Sequence, residues 1–273
     1  MKLINRIKLN NQFASIFVVL ITMYSCENSE TQTVTTLNNL VWADEFDTDG
    51  ALDTTKWDYN IGTGENGWGN NELQYYTDRL ENVQVKDGVL HITAIQENYM
   101  GSGYTSGRIL TKGILDQKYG RFEARIKSPW GKGLWSAFWM LGSNIDTVSW
   151  PSTGEIDIME YLGDSPTEIF GTLHGPGYSG GEGVTKQYAL EGDRFDTNFH
   201  VFGVEWGENY INFYVDDVLY NQLTPNDVTG EWVFNKSFFM ILNLAVGGNL
   251  PGSPNADTVF PQTMMVDYVR VYQ

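Results

Sequence analysis

Three acidic residues occur within a six-residue stretch whose other side chains are apolar. Glu155, Asp157 and Glu160, called the acidic triad below, flank Ile156 and Ile158 in a segment that otherwise resembles a buried β-strand. Carboxylates this close repel one another, which raises the pKa of at least one of them. A chain tolerates that cost most readily where one carboxyl must be ionised and another protonated at the same pH. Glycoside hydrolysis has this requirement, because it uses two carboxyl groups in different protonation states.

The spacing of the triad predicts an irregular strand. Side chains alternate between the faces of a strand, so Glu155 and Asp157 share a face and Glu160 would point to the other one. The Cα atoms of residues 155 and 160 would also lie about 16 Å apart, at about 3.3 Å per residue. Retaining glycosidases need their two carboxyl groups about 5–5.5 Å apart. If Glu160 acts with Glu155, a β-bulge near Ile158–Met159 must return it to the same face.

Another interpretation of the triad remains open at this point. Glu155 and Asp157 could lie on a solvated sheet face, and Glu160 could begin the turn that precedes Leu162-Gly163-Asp164. In that case the acids would have no catalytic role.

Short alternating segments, rather than helical patterns, follow residue Leu40. In the segment 121–127, Phe122, Ala124 and Ile126 share one face opposite four charged residues, which is typical of an antiparallel strand wet on one side. The dipeptides Asp87-Gly88 and Asp216-Asp217 each separate two such segments and predict hairpins. The fold class predicted is all-β: a two-sheet antiparallel β-sandwich of jelly-roll type with a concave substrate cleft.

Composition narrows the class of ligand. The chain has 273 residues, enough for one well-packed domain, and a formal charge of −17. It has no basic patch or Lys/Arg run, which argues against nucleic acid as a partner. Nine Trp and fifteen Tyr exceed what a core usually needs, and we expect several to line a groove and stack on sugar faces.

The N-terminal residues 1–25 have the features of a signal peptide. Three cationic residues precede an apolar run over Phe13–Tyr24 that is too short to span a bilayer comfortably. Cys26, the only cysteine, follows a small residue and resembles the lipidation site of a bacterial lipoprotein. The alternative is an ordinary signal peptide followed by an incidental thiol.

The polar composition of residues 26–39 predicts a lipid-anchored tether, and residues 40–273 form the predicted catalytic domain. We expect membrane association only through this anchor, and a monomer. The predicted location is the cell envelope, as an outer-membrane lipoprotein or a periplasmic or extracellular protein.

Several motifs together resemble glycoside hydrolase family 16, in its laminarinase branch. They are Trp150-Pro151 with Gly154–Glu160, Trp68–Tyr76, Gly107-Arg108-Ile109, Gly133–Leu141, Gly171–His174 and Val266–Tyr272. The resemblance covers nearly everything from Val41 to Gln273. Ser136 stands where Pro is common in that family.

The resemblance implies a role for each member of the triad and for several other residues. Glu155 matches the nucleophile, Glu160 the general acid/base, and Asp157 the carboxylate that orients the nucleophile. The residues that match sugar contacts, or are placed to make them, are Asn71, Arg108, Trp135, Trp139, Trp150 and His174.

The resemblance also implies a structural calcium ion far from the cleft in many members. Glu45, the carbonyl of Gly88 and Asp267 match its ligands, and hard oxygen ligands suit Ca²⁺. No cofactor is expected for catalysis, and no His/Cys cluster has the spacing of a zinc site.

The expected activity is endo-hydrolysis of β-1,3 linkages in laminarin-like β-glucan, with retention. A mixed-linkage β-1,3-1,4-glucanase is an alternative, since both specificities use the same core. A non-catalytic glycan-binding lipoprotein is an alternative of another class, although a binder has no reason to keep three mutually repelling acids on one strand.

Overall fold

The computed structural model describes residues 36–273 and contains two β-sheets in that range. One sheet has ten strands and the other has seven. The ten-stranded sheet consists of β1 (Leu40–Asp44), β3 (Gln74–Tyr76), β4 (Val83–Lys86), β5 (Val89–Tyr99), β6 (Ser102–Ser106), β8 (Gly120–Lys127), β13 (His200–Gly207), β14 (Tyr210–Val215), β15 (Val218–Leu223) and β17 (Gln262–Tyr272). The seven-stranded sheet consists of β2 (Asp58–Tyr59), β7 (Arg108–Leu110), β9 (Leu134–Gly142), β10 (Glu155–Leu162), β11 (Glu168–His174), β12 (Val184–Ala189) and β16 (Phe238–Val246).

The strand order identifies a jelly-roll sandwich, which confirms the predicted fold class. The ten-stranded sheet has the order β15-β14-β13-β8-β17-β5-β6-β3, with β1 added to β17 and β4 to β5. The seven-stranded sheet has the order β12-β11-β10-β9-β16-β7-β2. The β3–β6 pair is parallel and the other strand pairs are antiparallel. Helical structure in residues 36–273 is limited to short turns at Gly67–Asn71 and Gly180–Glu182.

The core lies between the two sheets. Phe138 and Ile156 of the seven-stranded sheet belong to one buried cluster with Ile126, Val204 and Val266 of the ten-stranded sheet. All five side chains are completely buried. Because removing apolar surface from water is the main favourable contribution to folding, this shared layer holds the sheets together.

Both predicted hairpins are confirmed. Asp87 and Gly88 join β4 to β5, with φ of 54° and 74°. Asp216 and Asp217 join β14 to β15, with φ of 49° and 64°. Two consecutive left-handed residues make the tight turn whose twist matches that of the flanking strands.

Strand β8 differs from its predicted pattern at one position. Phe122, Ala124 and Ile126 face the core as expected. Glu123, expected to be solvated, is only 2 % exposed because Arg121 and the hydroxyl of Tyr214 donate hydrogen bonds to it. A buried carboxylate is tolerated where such donors replace water.

Residues before Leu40 also contact the domain. The segment Thr36–Asn39, called the N-terminal strap below, belonged to the predicted tether but contacts the domain. Thr36 donates two hydrogen bonds to the carboxylate of Glu205, at 2.8 and 2.6 Å, and Asn39 pairs with Gln273. The predicted signal peptide, Cys26 and tether residues 26–35 lie outside the described residues.

Within residues 36–273, no helix is both long and apolar enough to cross a bilayer.

Candidate active site

The acidic triad lies on β10, and the predicted bulge is present there. On the β9 side, Asp157 is opposite Trp139 and Met159 is opposite Phe138, so Ile158 is the additional residue. The register also shifts on the β11 side between Asp157 and residue 160. The structural prediction made from the spacing of the acids is therefore confirmed.

The bulge separates the apolar and acidic residues of β10 onto two faces. Ile156, Ile158 and Met159 are buried in the core, with exposed fractions of 0–1 %. All three members of the triad line a cleft on the other face. Two consecutive core residues, rather than one, return residue 160 to the cleft face.

The cleft has a volume of about 1010 Å³ and crosses the seven-stranded sheet. Its lining extends from Thr185 on β12, across β11, β10, β9 and β16, to Arg108 on β7 and the loop before β3. Its residues are Glu65, Asn66, Trp68, Gly69, Asn70, Glu72, Arg108, Trp135, Ala137, Trp139, Trp150, Glu155, Asp157, Glu160, Phe170, Thr172, His174, Gly180, Gly181, Thr185, Asn243, Asn249 and Leu250. A cleft that crosses a whole sheet can accommodate the middle of a polymer chain.

His174 adjoins two of the three acids. It is opposite Glu155 in the register of β10 and β11. Its Nε2 atom is 3.2 Å from Asp157 Oδ2 and 3.7 Å from Glu155 Oε1. The imidazole packs closely against Gly183, because a Cβ atom on that residue would lie 2.4 Å from the Cε1 atom of His174.

The pKa of each member of the triad is raised. Burial, followed by the charge of Asp157, raises the pKa of Glu155 well above its usual value, while His174 and Arg108 oppose that change. Burial and the charge of Glu160 raise the pKa of Asp157 well above its usual value. Burial raises the pKa of Glu160, against His174 and a hydrogen bond from Thr172. The cluster therefore holds a proton at a pH where an exposed carboxyl group has lost it.

The distribution of these shifts differs from the expectation for the acid/base. The largest upward shifts of pKa fall on Glu155 and Asp157 rather than on Glu160. Arg108 lowers the pKa of Glu155 and has no such effect on Asp157. Burial and mutual repulsion therefore keep at least one proton on the triad of the free site, and Arg108 favours the ionised form of Glu155.

Three tryptophans predicted as sugar platforms all line the cleft. Trp135 and Trp139 are on β9, four residues apart and therefore on the same face. Trp150, which is 43 % exposed, lies on the loop before β10 with its ring centroid 6.0 Å from that of His174. Flat apolar rings at these places are suited to stacking on pyranose faces.

Arg108 also lines the cleft, held between two indole rings. Its guanidinium carbon is 4.4 Å from the ring centroid of Trp68 and 4.9 Å from that of Trp139. Burial lowers its pKa, against the nearby Tyr76 and Glu72. Both distances are within the range of a cation–π contact, so the two rings hold the guanidinium in place at the cleft wall.

Several N–H donors in the cleft have no acceptor among residues 36–273. The buried Nε1 atom of Trp68 and the Nε atom of Arg108 lack a hydrogen-bond partner there, and the Nε1 atom of Trp135 has no acceptor other than Glu160. Buried polar groups are normally satisfied, so these donors are suited to a ligand rich in acceptors, such as a sugar.

Asn71 is the predicted sugar contact that the structure does not place on the cleft wall. Its side chain is exposed and donates a hydrogen bond of 2.9 Å to Asn249, which does line the cleft. Its left-handed backbone, with φ of 57°, belongs to the tight turn that carries Trp68. Its direct contact with sugar remains a prediction.

Some cleft residues were not identified from the sequence. Glu72 is partly buried near Arg108 and accepts hydrogen bonds from Gln74 and Tyr76. Asn243 accepts a hydrogen bond of 2.7 Å from Trp139 Nε1. Asn243 is the one amide in the apolar run of β16, and this contrast was a signal that could have identified it.

The residues predicted to bind calcium do not fit a cation in this arrangement. Arg270 donates hydrogen bonds to both carboxylate oxygens of Glu45, at 2.8 Å each. Arg125 donates one of 2.6 Å to Asp267. A cation that used these carboxylates would have to displace both guanidinium groups.

The jelly-roll fold, the cleft and the triad on a bulged strand define the chain as a glycoside hydrolase of the β-sandwich class. The model of the family described as glycosyl hydrolases family 16 matches residues 68–270. The chain belongs to that family.

The chain is similar in sequence to several glucanases, and in structure to solved members of the same group. A beta-glucanase of Rhodothermus marinus is 43 % identical over 244 residues, which cover 86 % of this chain and 85 % of the relative. The solved catalytic domain of an endo-1,3-beta-glucanase (laminarinase) from Thermotoga petrophila RKU-1 is 47 % identical, with a TM-score of 0.82, over 86 % of this chain and 97 % of that one. The endo-beta-1,3-glucanase from Pyrococcus furiosus is 48 % identical, with a TM-score of 0.82, over 86 % of this chain and 94 % of that one.

Proposed function

We propose that the chain is an endo-β-1,3-glucanase that hydrolyses laminarin-like β-glucan with retention of anomeric configuration. The observation that carries the proposal is the bulge of β10, which brings Glu155, Asp157 and Glu160 to one cleft face. The similarity to the laminarinases and glucanases named above supports β-1,3-glucan as the substrate class. The reaction needs no cofactor, because carboxyl groups supply both the nucleophile and the proton.

In the first step, Glu155 attacks the anomeric carbon while Glu160 gives its proton to the departing oxygen. The product is a covalent glycosyl ester on Glu155. In the second step, Glu160 takes a proton from water, which then attacks the same carbon and releases Glu155. Two inversions at one carbon give net retention.

Asp157 controls where the proton lies before the reaction. Protonated Asp157 leaves Glu155 ionised between His174 and Arg108, ready for attack. The charge on Glu155 disappears when the ester forms, so Glu160 is then less repelled as it ionises to act as the base.

The direction of the cleft supports internal cleavage. The lining continues on both sides of the triad, towards β12 and towards the loop before β3. Tryptophans and unpaired N–H donors along this path could hold several consecutive glucosyl units.

Replacement of the two predicted catalytic glutamates tests the roles directly. Glu155→Ala and Glu160→Ala should each lower kcat on laminarin by at least about 10²–10⁴-fold, because each removes a group that acts in the transition state. Azide should partly restore turnover, giving an α-glycosyl azide with Glu155→Ala and a β-glycosyl azide with Glu160→Ala. Glu182→Ala, an exposed acid outside the cleft wall, is the control. Full activity in either cleft variant would rule out the assignment.

A substrate panel tests the specificity. We expect laminarin to be cut into mixed oligosaccharides, lichenan to be cut slowly or not at all, and agarose to be left intact. Faster cleavage of lichenan would identify a mixed-linkage glucanase. Measurable binding without release of sugar after prolonged incubation would identify a glycan-binding protein.

We also propose that residues 1–25 are removed, that Cys26 is acylated, and that the monomeric enzyme is anchored at the cell envelope. The polar segment before the domain supports this arrangement, since it separates the thiol from the folded part. Cys26→Ala should move the protein from the membrane fraction to the soluble fraction and abolish its lipid mass increment. An unchanged distribution would contradict the proposal.

A further inference from the structure

The catalytic centre contains a geometry that hydrolysis does not require. We propose that Glu155, Asp157 and His174 form a binding site for a divalent transition-metal cation such as Zn²⁺, and that its occupation reversibly inhibits the enzyme. Their ligand atoms all lie within 4.8 Å of one another. In the part of the chain described by the structure, they are the only group of three or more His, Cys, Asp or Glu side chains that converges in this way.

Two of the three separations between ligand atoms are close to those around a tetrahedral cation, and the third, between the two carboxylates, is within 4.8 Å. Bonds of about 2.0–2.1 Å to nitrogen and oxygen place tetrahedral ligands roughly 3.3–3.5 Å apart. His174 Nε2 lies 3.2 Å from Asp157 Oδ2 and 3.7 Å from Glu155 Oε1, close to that range. One imidazole and two carboxylates are ligands that Zn²⁺ accepts, and the open cleft leaves a fourth position for water.

A second observation concerns an oxygen atom that the protein leaves unsatisfied. Asp157 is only 4 % exposed, and its Oδ2 atom receives no hydrogen bond from the described residues, although it points towards His174. The contact of 3.2 Å between them lacks the geometry of a hydrogen bond. A buried acceptor of this kind is normally satisfied, and a cation between Oδ2 and Nε2 would satisfy it.

The His174 side chain is also held in a fixed position before any cation arrives. Gly183 packs against its ring so closely that a Cβ atom there would lie 2.4 Å from Cε1. Because the imidazole cannot retreat in that direction, little conformational freedom is lost when it binds a cation.

Occupation of this site would stop hydrolysis without changing the fold. A cation bound to Glu155 Oε1 withdraws the oxygen that attacks the anomeric carbon. It also occupies the floor of the cleft beneath the reacting sugar, so cation and glucan would compete. The hard cations Ca²⁺ and Mg²⁺ should compete poorly, since they prefer more oxygen ligands and Mg²⁺ keeps its waters.

Calorimetric titration with Zn²⁺ tests binding independently of activity. The full chain carrying Cys26→Ser should be used, so that its only thiol does not bind the cation. We expect one Zn²⁺ per chain, displacement of Zn²⁺ by a laminari-oligosaccharide, and competitive inhibition of laminarin hydrolysis. The chain with Ca²⁺ in place of Zn²⁺ should show neither binding at this site nor inhibition.

Two variants connect the binding to these residues. His174→Asn should weaken Zn²⁺ binding by at least about tenfold, as should Gly183→Ala, which displaces the ring without removing a ligand. His91→Asn, on β5 and outside the cleft wall, is the matched control and should bind as the parent does. Circular dichroism identifies any variant that does not fold.

Loss of binding in both cleft variants, with an unchanged control, supports the site. No bound Zn²⁺ in the parent, or binding that neither variant weakens, overturns it. Zn²⁺ binding with these properties in a chain that hydrolyses no glucan would retain the site and refute only the proposed function.

Discussion

The acidic triad lowers the stability of the fold that carries it. Asp157 is buried and Glu155 is partly buried, and the pKa values of both are well above the values they have in an unfolded chain. The folded state therefore binds protons more tightly than the unfolded state. The contribution of these two groups to stability is therefore most favourable below their unfolded pKa values, near pH 4, and is lost as the pH rises through the folded ones. Each unit of upward shift costs about 1.4 kcal/mol once the group is ionised.

This cost predicts that a less active variant will be more stable. Glu155→Gln keeps the size of the side chain and removes its charge, so it should raise Tm at neutral pH, by about 2–4 °C for each kcal/mol recovered. The gain should disappear near pH 4, where Glu155 is protonated in both states. Thermal unfolding of both proteins at several pH values measures this difference.

Glu182→Gln is the control for that experiment, because Glu182 is exposed and its charge is solvated in both states. A Tm increase for Glu155→Gln that is equal at pH 4 and pH 7 would show that the gain has a cause other than charge.

At the scale of the element, the bulge in β10 determines which acids of this sequence meet. Ile158 is the additional residue of the bulge and is 1 % exposed in the core. If the same sequence paired regularly, without the bulge, residue 160 would turn towards the core. Tyr161 would then take its place at the cleft.

Deletion of Ile158 should leave hydrolysis in place, because Glu155, Asp157 and Glu160 then alternate with Ile156 and Met159 on a regular strand and still share the cleft face. Ile158→Val is the control: it keeps the bulge, should cost about 0.5–1.5 kcal/mol and should leave kcat nearly unchanged. Denaturant unfolding and laminarin assays on both variants test the prediction. Loss of hydrolysis in a deletion variant that still folds would show that the bulge is needed for the separation of the acids and not only for the face they share.

The two hairpin turns and the bulge could be predicted from the sequence, because local rules determine them. The hairpins at Asp87-Gly88 and Asp216-Asp217 follow from turn preferences, and the bulge follows from the parity of residues 155 and 160. The acids and aromatic residues of the cleft were identified by type and by resemblance. The short strands β2, β3 and β7 lack a periodic pattern, since two or three residues are too few to show one.

Contacts between residues far apart in the chain could not be predicted. The alternating pattern of β8 predicts a surface position for Glu123. Its partner Tyr214 lies 91 residues away in the chain, so the local pattern does not reveal the contact that accompanies its burial. Arg108 was expected at the cleft, but its position between Trp68 and Trp139 depends on three separate segments. Such placements depend on the register of paired strands, and local sequence does not specify that register.

At the scale of the whole molecule, the N-terminal strap connects the start of the domain to the ten-stranded sheet. Its partner Glu205 is flanked on β13 by Val204 and Trp206, which are fully buried in the core, so Glu205 faces away from the core. Glu205 is nevertheless only 2 % exposed, and it accepts hydrogen bonds from Thr36 and Leu37. The strap thus supplies donors to a carboxylate that would otherwise lack them.

Removal of the charge should loosen the strap and leave the active site unchanged. Glu205→Gln replaces an acceptor oxygen with an amide donor, and we expect a loss of about 1.5–3 kcal/mol in the free energy of unfolding. Hydrogen exchange of residues 36–39 should accelerate, while kcat and KM on laminarin stay as in the parent. Glu208→Gln, an exposed glutamate on the turn after β13, is the control. Unchanged exchange at the strap would show that Glu205 does not hold it.

The attachment at Thr36 also limits how far the enzyme can work from its support. Ten residue steps separate Cys26 from Thr36, and a fully extended chain covers at most about 33–36 Å over that length. With Cys26 acylated as proposed, the linker would keep the start of the domain within that distance of the membrane. The enzyme would then reach only the glucan that diffuses close to the membrane. Released oligosaccharides would then first appear near the surface of the cell that made the enzyme, where that cell can take them up before its neighbours.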